Sequence, residues 1–283
     1  MNTETLGQLA NLAVASATVV LALAWVSHLV EWAGRVDVFG RVGLSLTVLG
    51  TALLAAGVLA RGLAAERVPW GNMYEFSLVG ALVALLVYLG LVVRAGISWL
   101  GPIVTGFVVV LGLSILAYVP PGPLVPALDS YWLVLHVSAA AIAGAAFVVG
   151  AGASALFLVK ERAERRRGGP ATTGLLGRLP PTAAMDRLAF QVHAFAFPLW
   201  TFAALIAGPI WAQNAWGRYW GWDPKEVWAF VTWVVYAGYL HARSTAGWRG
   251  RGAALLALVG FATFLFNFVG VNLFVSGLHS YAF

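Results

Sequence analysis

Residues 216–228 read Trp-Gly-Arg-Tyr-Trp-Gly-Trp-Asp-Pro-Lys-Glu-Val-Trp, more indole than anchoring a single helix at a membrane surface requires. Part of the string has a purely structural account. Asp223 suits the N-cap of a following helix, Pro224 its first residue and Glu226 the N3 partner of a capping box. That account leaves Trp216, Trp220 and Trp222, interleaved with Gly217 and Gly221, unexplained. Glycine lets a backbone turn tightly and approach a ligand, while indole faces offer flat apolar surface and N–H groups that donate outward. A large planar ligand with anionic groups at one edge suits such a surface. Arg218, Lys225 and the exposed amides at the start of the next helix would meet the anions.

The chain has five histidines and no cysteine. His136 and His279 fall on the same side as the tryptophan-rich segment, His136 in the first turns of a helix and His279 after the last one. His28, His193 and His241 fall near the opposite ends of their helices. Two imidazoles flanking a tryptophan-rich loop can supply both axial positions of a haem iron, and haem, with two propionates, is a planar ligand of the required kind. Thiolate ligation is excluded, and three methionines leave Met ligation open, with Met73 read as an apolar contact. For His28 and His193, bonding to a neighbouring helix is the favoured reading over ligation.

The elements that position these residues follow from composition. The chain is 61% hydrophobic and 10% charged, so lipid is its solvent. Continuous apolar runs predict an all-α polytopic membrane protein with about eight spanning helices, near 6–28, 40–62, 74–93, 98–118, 131–158, 189–212, 225–243 and 252–274. The whole of 1–283 reads as a single membrane domain. Residues 159–188, with Lys160, Arg162, Arg165, Arg166, Arg167, Arg178 and Arg187, read as a basic, flexible cytoplasmic loop. Placing that loop inside puts thirteen basic residues inside, Arg35 among them, against four outside: Arg61, Arg67, Arg218 and Lys225. Both termini and the 213–224 loop are then extracytoplasmic. The +6 net charge is accounted for by this topology and implies no nucleic-acid partner. The first helix reads as retained rather than cleaved. Without cysteine, thiol chemistry must belong to a partner.

The string Trp-Ala-Gln-Asn-Ala-Trp-Gly-Arg-Tyr-Trp-Gly-Trp-Asp-Pro-Lys-Glu-Val-Trp-Ala-Phe at 211–230 closely resembles the WWD motif of haem-handling membrane proteins. Among them it is similar to the CcsA/ResC type, called CcsB in actinobacteria, of system II cytochrome c biogenesis. Tyr-Trp-Leu-Val-Leu-His at 131–136, Tyr-Leu-His-Ala-Arg at 239–243, Asn-Met-Tyr-Glu at 72–75 and Gly-Leu-His-Ser-Tyr at 277–281 support the resemblance, which covers most of the chain after residue 67. The resemblance implies haem b as substrate, with His136 and His279 as outer axial ligands. Trp216, Gly217, Arg218, Trp220, Trp222, Asp223 and Lys225 would then hold the haem face and propionates. It implies His241 as an intramembrane ligand, the second inner ligand coming from a Ccs1/ResB-type partner; His28 and His193 lie on the same side and are alternatives to it. It further implies a bacterial plasma-membrane location and the apocytochrome c as partner, its thiols kept reduced by a thioredoxin-like protein. The activity implied is haem export and covalent attachment to a Cys-x-x-Cys-His segment, as a cytochrome c haem lyase or synthetase. The alternative is a haem carrier that serves a separate ligase. An electron-transfer cytochrome is disfavoured by the WWD string, and a transporter of another solute by the lack of paired broken helices.

Overall fold

The computed structural model describes residues 2–34, 37–113 and 118–279. Arg35, residues 114–117 of the 98–118 run, and Ser280 and Tyr281 of the terminal motif lie outside the described residues. Helices form at all eight expected positions, and no strand occurs among the described residues. The chain is an all-α polytopic membrane protein. Among the described residues, six helical stretches are long and apolar enough to cross a bilayer; the one at Ser98–Gly112 is shorter. The chain divides into two compact units, meeting at Asp129 and Ser130.

The first unit holds α1 (Thr3–Gly34), α2 (Asp37–Ala65), α3 (Met73–Ala95) and α4 (Gly101–Gly112), the last entered by a 3-10 turn at Ser98–Leu100. Inside lipid, helices associate through close packing rather than a hydrophobic drive, so small residues mark their seams. Gly43, Gly50 and Gly57 of α2 face His28, Leu21 and Val14 of α1, seven residues apart on both helices. A Cβ at any of the three glycines would come within 3 Å of its partner. Asn72 caps α3 by accepting from the Glu75 amide at 3.0 Å. The fully buried Glu75 carboxylate accepts from Arg61 Nε at 2.8 Å, Arg67 NH1 at 2.7 Å and the Gly71 amide at 2.6 Å. Tyr74 and Tyr118 lie against the Arg61 guanidinium.

The second unit begins with α5 (Tyr131–Arg167), capped by Ser130. This helix outruns its expected end at 158 because the basic residues that follow are helical rather than loop. Lys160 is buried and donates to the carbonyls of Leu179 (2.8 Å) and Pro180 (3.0 Å), and Arg165 pairs with Glu161 one turn away. The helix stops at Gly168 in the left-handed conformation. A short α6 (Gly174–Arg178) follows. Next comes a continuous stretch, α7 (Thr182–Thr201), a π-helical turn (Phe202–Ala207) and α8 (Gly208–Trp216). Most of the 159–188 connection is helix, and Lys160 ties α5 to its Leu179-Pro180 segment.

The unit is completed by α9 (Pro224–Ser244), α10 (Arg251–Leu265), a second π turn (Phe266–Gly270) and α11 (Val271–Phe274). Its core is aromatic. Phe147 stacks on Tyr236 at 4.0 Å and meets Trp200 and Phe264 edge-on. At the other end of α9, Arg243 NH1 donates to both Asp186 oxygens at 2.8 Å, and the Gly250 amide donates to the same carboxylate.

Candidate functional site

The tryptophan-rich loop joins α8 to α9, and its ends are built as the residue types dictate. Gly217 closes α8 in the left-handed region, at φ 73°. Asp223 caps α9, accepting from the Lys225 amide at 3.0 Å, while Glu226 reaches back to the Asp223 amide at 3.1 Å and the Gly221 amide at 2.8 Å. Between these anchors the backbone is held in an uncommon conformation. Trp222 has φ 56°, sparse for any side chain and more so for an indole, and it is 69% exposed. Trp220 meets Trp222 edge-on at 5.9 Å, and the Arg218 guanidinium lies against Gly221, where a Cβ would collide with it at 2.5 Å.

His136 and His279 come together here, although distant in sequence. Trp211 joins them: its ring stacks on His136 at 6.0 Å with 14° between planes and lies 5.5 Å from His279. Trp216 meets Trp211 at 4.8 Å and His279 edge-on at 4.9 Å. The loop therefore contributes two surfaces. Trp216 belongs to the histidine cluster; Trp220 and Trp222 form a separate pair, with exposed Tyr219 immediately before it in sequence.

The Nδ1 atom of each imidazole meets an acceptor. His136 Nδ1 lies 2.8 Å from the carbonyl oxygen of Ala203, and His279 Nδ1 lies 2.7 Å from Asp223 Oδ1. A carbonyl cannot donate, so His136 carries its proton on Nδ1 and keeps the Nε2 lone pair for another partner. The Ala203 carbonyl belongs to the π turn, where it also accepts from the Gly208 amide. A Cβ on Gly208 would lie 3.0 Å from that carbonyl and 3.2 Å from His136 Nδ1, so glycine leaves room for the approach.

Electrostatics give His279 the same tautomer. Burial pushes the Asp223 carboxyl up, but hydrogen bonds from His279 and from the Leu278 and Lys225 amides outweigh it and hold it below the usual carboxylate range. Burial pulls the His279 imidazole down, and Asp223 beside it only partly offsets this. At neutral pH the pair is a carboxylate accepting from a neutral imidazole, with Nε2 unprotonated. Two neutral imidazoles, each engaged through Nδ1 and set among indoles, are a donor set that fits haem iron.

The inner histidines stand in different local settings. His28 is buried in the first unit, fitted against Gly43 and Gly101, with Nε2 at 3.3 Å from Thr47 Oγ1. His193 is fully buried in the second unit, against Gly150 and among Phe147, Tyr236 and Tyr239. His241 is exposed on the last turns of α9. Sequence reasoning overlooked Trp211 as a link between the outer imidazoles and Ala203 as an acceptor. Pro198 and the Gly208-Pro209 pair, each able to disturb a helix, were the available signals.

The family described as Cytochrome C assembly protein matches residues 9–279. A protein named Cytochrome c biogenesis protein CcsA from Gloeobacter violaceus is 31% identical over 96% of this chain and 94% of its own length. Its namesake from Parasynechococcus marenigrum is 35% identical over 83% of this chain and 85% of its own. Among solved structures, one titled Cytochrome c Heme Lyase CcmF superposes with a TM-score of 0.73 at 17% identity, which speaks to the fold alone. The match covers 95% of this chain and 47% of that one, so this chain spans about half that protein's length. With a family match running almost end to end and relatives above 30% identity over nearly their full lengths, this chain belongs to the cytochrome C assembly protein family.

Proposed function

We propose that the chain acts in cytochrome c biogenesis as the haem-presenting and haem-attaching subunit of a system II synthase, with haem b as its substrate. The observation that carries this reading is the convergence of His136 and His279 on Trp211, each held through Nδ1. In this reading Trp216 and the loop residues Gly217, Arg218, Trp220, Trp222 and Lys225 supply the indole surface and cations that a planar, doubly anionic ligand needs. The relatives named for cytochrome c biogenesis support the same assignment.

In this account the loop and both termini face the extracytoplasmic side of a bacterial plasma membrane, in keeping with the thirteen-to-four distribution of basic residues. Haem arrives by way of exposed His241, with the second inner ligand from a Ccs1/ResB-type membrane subunit, and is then held by the outer pair. An apocytochrome c segment, kept reduced by a thioredoxin-like protein, docks against the exposed Tyr219 and Trp222. Its own histidine replaces one of the outer ligands. Each of its two thiols then adds across a haem vinyl group, S–H across C=C, with no net oxidation. The protein supplies position and exclusion rather than proton transfer, which suits a site whose carboxylates, Asp223 and Glu226, are both engaged in capping.

Co-expression with the Ccs1/ResB-type subunit and one apocytochrome c, and no other assembly factor, tests the proposal. Covalent haem on the apocytochrome, lost in a His136→Ala/His279→Ala variant, is the expected result. Haem bound to this chain without any covalent product would instead mark it as a carrier serving a separate ligase.

A further inference from the structure

We infer that Asp223 is a positioning residue for the outer haem site: it holds the His279 imidazole by Nδ1–H and so aims Nε2 at the iron. This rests on the outer-site reading above and extends it to a residue whose cap role alone would explain its place in the motif.

Four bonds converge on the Asp223 carboxylate, and only two of them belong to the cap. The Lys225 amide donates to Oδ1 at 3.0 Å and the Glu226 amide donates to the same side chain, which is the cap. The Leu278 amide donates to Oδ2 at 2.6 Å and His279 Nδ1 to Oδ1 at 2.7 Å, both from the tail that follows α11. That tail has left helical conformation by Val275, so no regular element fixes the His279 ring. Asp223 holds the ring at Nδ1, and the indoles of Trp211 and Trp216 lie against it. Gly277 permits the approach, because a Cβ there would lie 2.6 Å from Asp223 Oδ2 and 3.1 Å from Pro224 Cδ. Asp223 itself is 6% exposed, so its bonds to the tail face little competition from water.

The two outer imidazoles are consequently unequal. His136 leans on a neutral carbonyl, and His279 on a carboxylate, which makes its Nε2 the stronger donor to iron and favours ferric over ferrous haem.

Asp223→Asn separates the roles, since asparagine caps a helix as well as aspartate does but carries no charge. In the protein purified with its Ccs1/ResB-type partner, Asp223→Asn is expected to loosen haem by about ten- to a hundredfold and to shift the haem potential upward. In a His279→Gly background the same change should have no further effect on haem content, because its route of action is gone. Undiminished haem content and potential in Asp223→Asn, alongside loss in His279→Gly, would overturn the inference and leave the outer site intact. Haem indifferent to His279→Gly would overturn the outer-site reading and this inference with it. A readout without haem guards against misfolding: 15N spectra of the histidine-labelled apoprotein should show His279 as the Nδ1–H tautomer in the wild type and a tautomer mixture in Asp223→Asn. A mixture already present in the wild type would overturn the inference.

Discussion

Gly208→Ala probes the support of His136 with the smallest possible change. The added methyl would stand 3.0 Å from the Ala203 oxygen, 3.2 Å from His136 Nδ1 and 3.3 Å from Cε1, each inside the 3.4 Å at which ordinary contact begins. The ring must retreat by about 0.2 Å and the carbonyl by about 0.4 Å to restore normal van der Waals spacing. These shifts stretch the 2.8 Å bond to Ala203 toward the long end of the N–H···O range, about 3.2 Å. Replacing glycine by alanine inside a helix gains about 1 kcal/mol, and weakening one hydrogen bond loses a similar amount, so global stability should stay within about 1 kcal/mol of wild type. Haem retention should not be spared: a loosened ligand support costs about tenfold at the mild end of its range. The assay is haem per protein after dialysis, read with the unfolding temperature of the same sample. Gly90→Ala, with nothing within 4 Å of the new methyl, controls for helix propensity. Equal haem retention in the two variants would refute the argument that the π turn positions His136.

Three further outcomes follow from other parts of the fold. Gly150→Ala places a methyl 2.5 Å from His193 Cε1 in a closed aromatic core, and should destabilise the second unit by about 1–3 kcal/mol; His193→Ala in the same chain should relieve part of that, giving a measurable coupling in thermal unfolding. Glu75→Gln leaves Arg61 and Arg67 without their shared buried carboxylate and should cost about 3–5 kcal/mol, seen as loss of monodisperse protein in detergent. On acidification, His279 binds a proton less readily folded than unfolded, so the stability it contributes is present above an unfolded value of about 6.5 and is lost as pH falls through its lower folded value. Asp223, also lowered, loses its contribution at still lower pH. The unfolding temperature should therefore be level above pH 7 and decline below 6, and His279→Gln should flatten the first part of the decline.

Much of the architecture can be read from hydropathy, because a lipid solvent forces backbone groups into helices wherever an apolar run is long enough. The cap at Asp223 is legible too, since Asp-Pro-x-Glu carries its own local chemistry. So is the pairing of His136 with His279, which side assignment alone brings to one face. What escapes is set by tertiary contact or by backbone. The acceptor for His136 is a carbonyl, which has no side-chain identity to read, and it is presented by a π turn that Pro198 and Gly208-Pro209 hint at without locating. Trp211 resembles any interfacial tryptophan in sequence, yet it stands against both imidazoles. The end of α5 was misplaced because charge count marks Lys160 as solvated, whereas two carbonyls of the Leu179-Pro180 segment bury it. The same limit hides the second role of Asp223, whose partners lie on a tail remote in sequence.

The central claim is that His136 and His279 are the two axial ligands of one outer haem. The direct test is the absorption spectrum of the detergent-purified protein with its Ccs1/ResB-type partner, in the wild type and in His136→Gly and His279→Gly, with and without imidazole. Either substitution should abolish the six-coordinate haem spectrum, and added imidazole, occupying the space of the deleted ring, should restore it. A spectrum unchanged by both substitutions would contradict the account and place the ligands elsewhere in the chain or its partner.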